Sequence, residues 1–286
     1  MVVIKVGFLV SYDYEFIKVS LPRIYDHVSE IFLAVDAEGL TWSGEPLHIA
    51  VEFWEWLKDF DTEKKICIYR DRFYISGMSP MECDTRERNM LSKEMGTADW
   101  YIQIDSDEYF VDFGAFIGKL KRFKSESPTT VTCRVLTLFK VLPDGFLYID
   151  DSVESLNFAT NAPVYHVARN NAPEYTYVNW DDVVLHQSWA RSPEAIYTKL
   201  NNWSHKNDFN VMSFYRLWDA VDQNNYYALS NFHPLNPLLW PKLGFLPGDI
   251  KDILGSELIK TVGLPKSPVE RNKPLLSRMW KRIRGR

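Results

Sequence analysis

The chain reads as an α/β protein: a doubly wound, mostly parallel sheet over its first 110 residues, a β-rich second half, and helices towards the C-terminus. Three observations predict this. Apolar runs at 4–10, 31–36, 66–70 and 100–105 alternate with helical stretches, the order that builds a parallel sheet covered on both faces. These runs alternate poorly between apolar and polar, as strands buried on both faces do. Two of them end in carboxylates, Asp36 and Asp105, at the strand edge where open α/β sheets bind ligands.

The elements follow in order. The strand 4–10 opens the chain. A helical stretch runs through Phe16 and Ile17 and is punctuated by Pro22. The strand 31–36 precedes a helix over 45–60, and a third strand covers 66–70. A helix over 84–95 is expected, with Asp84 as its N-cap and Gly96 as its stop. The strand 100–105 comes next and runs into Ser106, Asp107 and Glu108. Beyond residue 110 the pattern turns β-rich: a long run at 131–141, a Pro-Asp-Gly turn at 143–145, and strands at 164–168 and 183–189. Ser192 and Pro193 then open a helix as N-cap and first helical residue, with Ile196, Leu200 and Trp203 on its apolar stripe. The Pro-, Trp- and Leu-rich segment 231–248 reads as irregular. The expected division is a domain over 1–210, made of halves 1–110 and 111–210, followed by an extension over 211–286.

Composition bounds the function. With 286 residues and 46% hydrophobic content, a sizeable core forms and global disorder is excluded. A net charge of −5 argues against a nucleic-acid binder. The three cysteines, Cys67, Cys83 and Cys133, have neither zinc spacing nor a disulfide pattern. Cys67 and Cys133 fall in strands and are expected to be buried thiols. No stretch approaches the ~20 apolar residues that span a bilayer, so the expected compartment is the cytoplasm. Residues 275–284 pattern as a short amphipathic helix with a cationic face, which suits peripheral contact with a membrane.

The acidic strand end carries the most chemistry. Carboxylates one residue apart grip a divalent cation already carried by a diphosphate, which makes a nucleotide-sugar the first candidate ligand. An acidic surface turn is the bland alternative. The helix 84–95 returns to the amino edge of the strand 100–105, so its first turns, with Arg86, Arg88 and Asn89, lie beside Asp105 and Asp107. Arg88, Leu91 and Met95 share one stripe at helical spacing, so Arg88 points inward. It makes either a phosphate site or a structural pair with an aspartate. Asp36 is placed to read the base or ribose of a nucleotide, and Tyr12, in the first loop, to stack on the base.

These residues carry a resemblance. The first strand and its loop, Asp36, the run Thr85-Arg86-Glu87-Arg88-Asn89 and the run Asp105-Ser106-Asp107-Glu108 resemble the nucleotide-binding half of family 2 glycosyltransferases, which have the GT-A fold. The segment His186-Gln187-Ser188-Trp189-Ala190-Arg191-Ser192, continuing to Lys199 and Ser204-His205, is similar to the His-containing motif of the β-1,4-mannosyl-glycoprotein N-acetylglucosaminyltransferase family. Together they cover about residues 1–210. The chain departs from the first pattern in having Ser11-Tyr12-Asp13-Tyr14-Glu15 in place of Asn-Glu. It also lacks the Gln-x-x-Arg-Trp motif and the membrane helices of processive synthases, and shows no Glu-Asp base motif.

The resemblance implies a metal-dependent glycosyltransferase that moves a sugar from a UDP- or GDP-linked donor to a saccharide or lipid-linked acceptor, in bacterial-type polysaccharide or glycolipid assembly. Mn²⁺ or Mg²⁺ would neutralise the leaving diphosphate. Asp107 is the expected direct ligand and His186 the third protein ligand. Asp105 binds the metal directly, through water, or holds the ribose, and Ser106 lies in the donor site with it. Asp182 ranks first and Asp181 second as the base that takes the acceptor proton, with Asp151 and Glu154 behind them. A sugar-1-phosphate nucleotidylyltransferase and a non-catalytic carbohydrate-binding protein are the competing readings. The former normally has a Gly-rich loop after the first strand, where residues 11–16 contain no glycine.

Overall fold

A computed structural model describes residues 2–260 and 262. Strand β1 (Ile4–Val10) is followed by helix α1 (Ile17–Ile24), β2 (Glu30–Asp36), α2 (Val51–Phe60), β3 (Ile66–Asp71), α3 (Pro80–Glu94) and β4 (Trp100–Asp105). A short β5 (Glu108–Phe110) leads to α4 (Phe113–Arg122), β6 (Thr129–Leu142), β7 (Gly145–Asp150), β8 (Ser155–Thr160) and β9 (Thr176–His186). Helices α5 (Pro193–Asn202) and α6 (Val211–Ala220), strand β10 (Lys242–Pro247) and α7 (Ile250–Gly255) complete the described chain.

The sheet runs β10-β7-β6-β8-β4-β1-β2-β3. β3, β2, β1 and β4 are parallel, while β8, β6, β7 and β10 join by antiparallel pairings. Strand β9 leaves this row: it pairs parallel to β6 and antiparallel to β5. The expected fold class, a doubly wound α/β sheet with a β-rich second half, is the one observed.

Burial on both faces explains the apolar strands. Val6, Phe8, Ile31, Leu33, Ile102 and Ile104 are wholly buried, and each side chain contributes on the order of 1.5–3 kcal/mol. Helix α3 lies hard against β1, where a Cβ on Gly7 would come within 2.7 Å of Leu91. That closeness fixes the height of α3 over the strand edge. β3 is the outermost parallel strand, and so Cys67 is exposed rather than buried, whereas Cys83 and Cys133 are buried.

Several boundaries differ from expectation. α3 starts at Pro80 rather than Asp84, because Ser79 and Glu82 form a capping box and Pro80 takes the first helical position. Asp84 sits one turn inside, free to bond Arg88. The helix expected over 45–60 begins only at Val51; residues 38–50 form a strap, with Leu40 bridging Pro46. The expected strand 164–168 is a loop with an isolated Val167–Asn170 bridge, since its backbone is spent on side chains of α3. The last long strand begins at Thr176 and ends at His186. Segment 231–248 is not wholly irregular, because β10 extends the sheet beside β7. The division expected at residue 210 is no break in packing: Ile253, Leu254 and Ile259 share a core with Leu136 and Leu138, and Trp218 and Trp240 share one with Phe139 and Trp189. No helix among the described residues is long and apolar enough to cross a membrane, and the amphipathic stretch 275–284 lies outside them.

Candidate active site

The turn between β4 and β5 is built by its own side chains. Glu108 accepts the backbone N–H of Asp105 at 2.9 Å and is gripped from the other side by both terminal nitrogens of Arg169. Ser106 donates to the carbonyl of Leu9 at 3.2 Å, which ties the turn to the end of β1. Asp107 lends its carbonyl to the N–H of Gln187 at 2.8 Å, and His186 pairs with Glu108 across β5 and β9. The antiparallel β5–β9 pairing is what brings His186 to the acidic strand end.

Around this turn lies a network of charges. Arg88, 2% exposed, donates to Asp84 at 2.7 Å and to Asp105 at 2.8 Å, while Arg169 stands 4.0 Å from Asp105. Arg191 bonds Asp107, bonds Asp13 at 3.1 Å, and lies over the ring of Phe16. Lys199 reaches to 3.6 Å from Asp107 and bonds Ser188 at 2.9 Å. The ion pairs join the carboxylates of Asp13, Asp84, Asp105, Asp107 and Glu108 to Arg88, Arg169, Arg191 and Lys199, with His186 beside Asp107.

The electrostatics follow from burial and pairing. Burial pushes the Asp107 carboxyl up, but His186, Lys199 and Arg191 outweigh it and hold the group well below the usual range. Asp105 is held low in the same way: burial opposes, and Arg88 and Arg169 prevail. Burial, helped by Arg191, brings the Lys199 ammonium down to about 8 against the pull of Asp107 and Asp13.

His186 Nε2 lies 3.6 Å from Asp107 Oδ1. That separation is too long for a hydrogen bond, and two metal–ligand bonds of ~2.1 Å span it comfortably. The spacing and the donor types fit Asp107 and His186 as a pair of ligands for a divalent cation. Asp105 is not gathered with them. Its carboxylate, 35% exposed, faces Arg88 and Arg169, and no group of three His, Cys, Asp or Glu among the described residues is placed to hold a metal. Among the described residues the chain thus brings together two of the three ligands expected.

The remaining expected site residues divide. Tyr12 is half-buried and within electrostatic reach of Asp13, Arg191, Asp107 and Asp105, so the first loop does face the cluster. Asp36 does not present a free carboxylate: it accepts the N–H groups of Glu38, Leu40, Phe73 and Tyr74, and thereby organises two loops. Asn89 is likewise taken up, clamping the loop after β8 through both backbone groups of Tyr165. Arg86 bonds the carbonyl of Arg72 at 2.6 Å beside β3. Asp182 is paired with Lys119 of α4 at 2.7 Å, and Asp181 neighbours it in the irregular step where β9 slips against β6. Asp182 lies four residue steps along the strand from His186, about 13 Å, so neither aspartate reaches the cluster.

Sequence reading gave no role to Arg169, Arg191, Lys199 or Asp13: Arg191 and Lys199 were named only as parts of the motif that begins at His186, and Asp13 only as part of the first loop. Arg169 carried no signal, because it enters from a loop read as a strand.

No family model matches the chain, and no curated protein does. Solved structures similar to it include HddC from Yersinia pseudotuberculosis complexed with GMP-PN, 10% identical over 64% of this chain and 92% of that one, with a TM-score of 0.37. S. aureus TarS 1-349 is 13% identical over 80% of this chain and 73% of that one, with a TM-score of 0.38. The 4-diphosphocytidyl-2C-methyl-D-erythritol synthase from Anaerococcus prevotii is 12% identical over 76% and 83%, with a TM-score of 0.30. Likeness at this level says nothing of what this chain binds or does.

Proposed function

We propose that this protein is a nucleotide-sugar-dependent glycosyltransferase that moves a sugar from a UDP- or GDP-linked donor to an acceptor hydroxyl, of a saccharide or a lipid-linked glycan. The observation that carries the reading is the meeting of Asp107 and His186 at the carboxyl end of β4, within a network of buried charges. Such a place suits a cation that arrives with a diphosphate. Asp107 and His186 would hold Mn²⁺ or Mg²⁺, which supplies Lewis-acid neutralisation of the leaving diphosphate. Arg191 and Lys199 orient the Asp107 carboxylate. Tyr12 and the exposed edge of Asp105 face the donor, and the Arg88–Asp84 pair holds Asp105 in place.

The test is nucleotide-dependent thermal stabilisation of the chelator-treated protein. UDP and GDP are added with and without Mn²⁺ or Mg²⁺, followed by a screen of UDP- and GDP-sugars for donor hydrolysis and transfer. A nucleotide at about 100 times its Kd stabilises by about 2.7 kcal/mol, and the shift is expected only when metal is present. Absence of any shift with either nucleotide, with or without metal, refutes the reading.

A further inference from the structure

We infer that one buried water molecule is a built-in part of the support behind the acidic turn, held by Gln103 Oε1 in a cavity beneath the loop 161–175.

Gln103 lies on β4, two residues before Asp105, and is 1% exposed. Its amide nitrogen is spent on α3: Nε2 donates to the carbonyl of Arg88 at 2.9 Å and to Ser92 Oγ at 3.0 Å. These two acceptors fix which way the amide faces, since turning it over would set its oxygen against the Arg88 carbonyl. Oε1, on the other side, accepts nothing from the protein, and buried acceptors are seldom left so.

Gln103 lines a cavity together with Thr130 of β6, Asn157 of β8, and Tyr165, Arg169 and Asn171 of the loop. The cavity gives the centre of a water molecule about 10 Å³ in which to move, room for one molecule and for no larger ligand. An apolar cavity stays dry, but this wall is polar, and Thr130, Asn157 and Asn171 are all buried. Their own protons are committed. Thr130 Oγ1 donates to Asn171 Oδ1 at 2.7 Å, Asn157 Nδ2 to Asn170 Oδ1 at 2.9 Å, and Asn171 Nδ2 to the carbonyl of Val164 at 2.8 Å. Water supplies the proton that Gln103 Oε1 needs, and keeps a second proton and its lone pairs for atoms of the wall.

The position gives this water a task. The loop 161–175 carries Arg169, whose Nη1 donates to the carbonyl of Gln103 at 3.3 Å and to Glu108 at 2.6 Å, and Glu108 accepts the N–H of Asp105. From the outside the loop is pinned to α3. Asn89 holds Tyr165, and Thr85 Oγ1 accepts the N–H of Ala168 at 2.8 Å. Ala168 has a left-handed backbone, with φ of +46°, which an alanine keeps only where its surroundings impose it. The water completes the inner side of the same loop and so helps to hold Arg169 against Glu108. It is needed whatever the turn binds, so this site and the transferase reading stand or fall separately.

The test is a high-resolution crystal structure of the wild type, with Gln103→Glu and Gln103→Met alongside. Gln103→Glu keeps an acceptor at Oε1, whereas Gln103→Met keeps the length of the side chain and removes the acceptor. Water density is expected within about 3.2 Å of Oε1, and of one further polar atom of the wall, in the wild type and in Gln103→Glu but not in Gln103→Met. In solution, water magnetic relaxation dispersion should count one long-lived water fewer in Gln103→Met than in the wild type. Amide exchange at Asp105 and Ala168 should be about tenfold faster in Gln103→Met than in Gln103→Glu, the effect of one lost buried hydrogen bond, with β2 equally protected in both. The wild-type structure decides alone if Gln103→Met does not fold. No water density beside Gln103 Oε1 in the wild type, an equal count of long-lived waters in wild type and Gln103→Met, or equal exchange at Asp105 and Ala168 in the two variants overturns the assignment.

Discussion

Removing the Asp107 carboxylate should cost stability as well as activity, because the group is 3% exposed and faces two buried cations. Breaking a buried pair by deleting one partner typically costs about 3–5 kcal/mol. The surroundings set the value at the low end. Arg191 keeps Asp13 at 3.1 Å, and Lys199, with its ammonium already near 8, sheds its proton once Asp107 is gone. About 3 kcal/mol is therefore expected for Asp107→Ala, a fall in Tm of roughly 6–12 °C at about 2–4 °C per kcal/mol.

The pH dependence has a definite sign. Asp107 is held well below its ordinary value in the folded protein. Its contribution is thus fully present above the unfolded value of about 3.9 and is lost as pH falls towards the folded one. The gap between wild type and Asp107→Ala should be wide at pH 7 and close below about pH 4. Thermal melts of both proteins from pH 3 to 8 measure it, alongside nucleotide binding. Equal Tm values at pH 7, or a gap that does not narrow on acidification, would refute a paired buried carboxylate.

Three further outcomes are expected. Burial, with the help of Asp84 and Asp36 and against the Trp42 hydrogen bond, pushes the Glu87 carboxyl to about 8. It therefore stays protonated at neutral pH while the unfolded chain ionises, and Glu87→Gln should stabilise the protein by about 3 kcal/mol at pH 7 and by nothing near pH 4; parallel melts of wild type and variant would refute it. Asp36→Asn exchanges acceptors for donors against four backbone N–H groups and should lower Tm by a few degrees at ~1–3 kcal/mol. Nucleotide discrimination should not change, and a shift in UDP-over-GDP preference with an unchanged Tm would return Asp36 to base reading. His186→Ala should raise the Mn²⁺ concentration needed for nucleotide stabilisation at least tenfold; an unchanged metal titration removes His186 from the ligands.

The parallel half of the fold was legible because its cause is local. Strands buried on both faces must be apolar throughout, and the run 100–105 must stop where Asp105 meets solvent. The inward turn of Arg88 was legible for the same reason, as one helical stripe shared with the buried Leu91 and Met95. Boundaries slipped where a cap or a strap decides them. Ser79, Glu82 and Pro80 begin α3 four residues before Asp84, and strand and helix patterns do not reveal which of two capping residues wins.

The site itself depends on pairings across long separations. Residue types put carboxylates at strand ends, but which of them stay available is decided by donors far away in sequence. Asp36 is consumed by backbone from residues 38–40 and 73–74, and Asp182 by Lys119. Arg191 and Lys199 reach Asp107 only because β9 pairs with both β5 and β6. The sequence by itself determined the sheet, its acidic edge and the residue types gathered there. Only the tertiary structure decided which charge neutralises which, because burial makes pairing compulsory and the register of β9 chooses the partners.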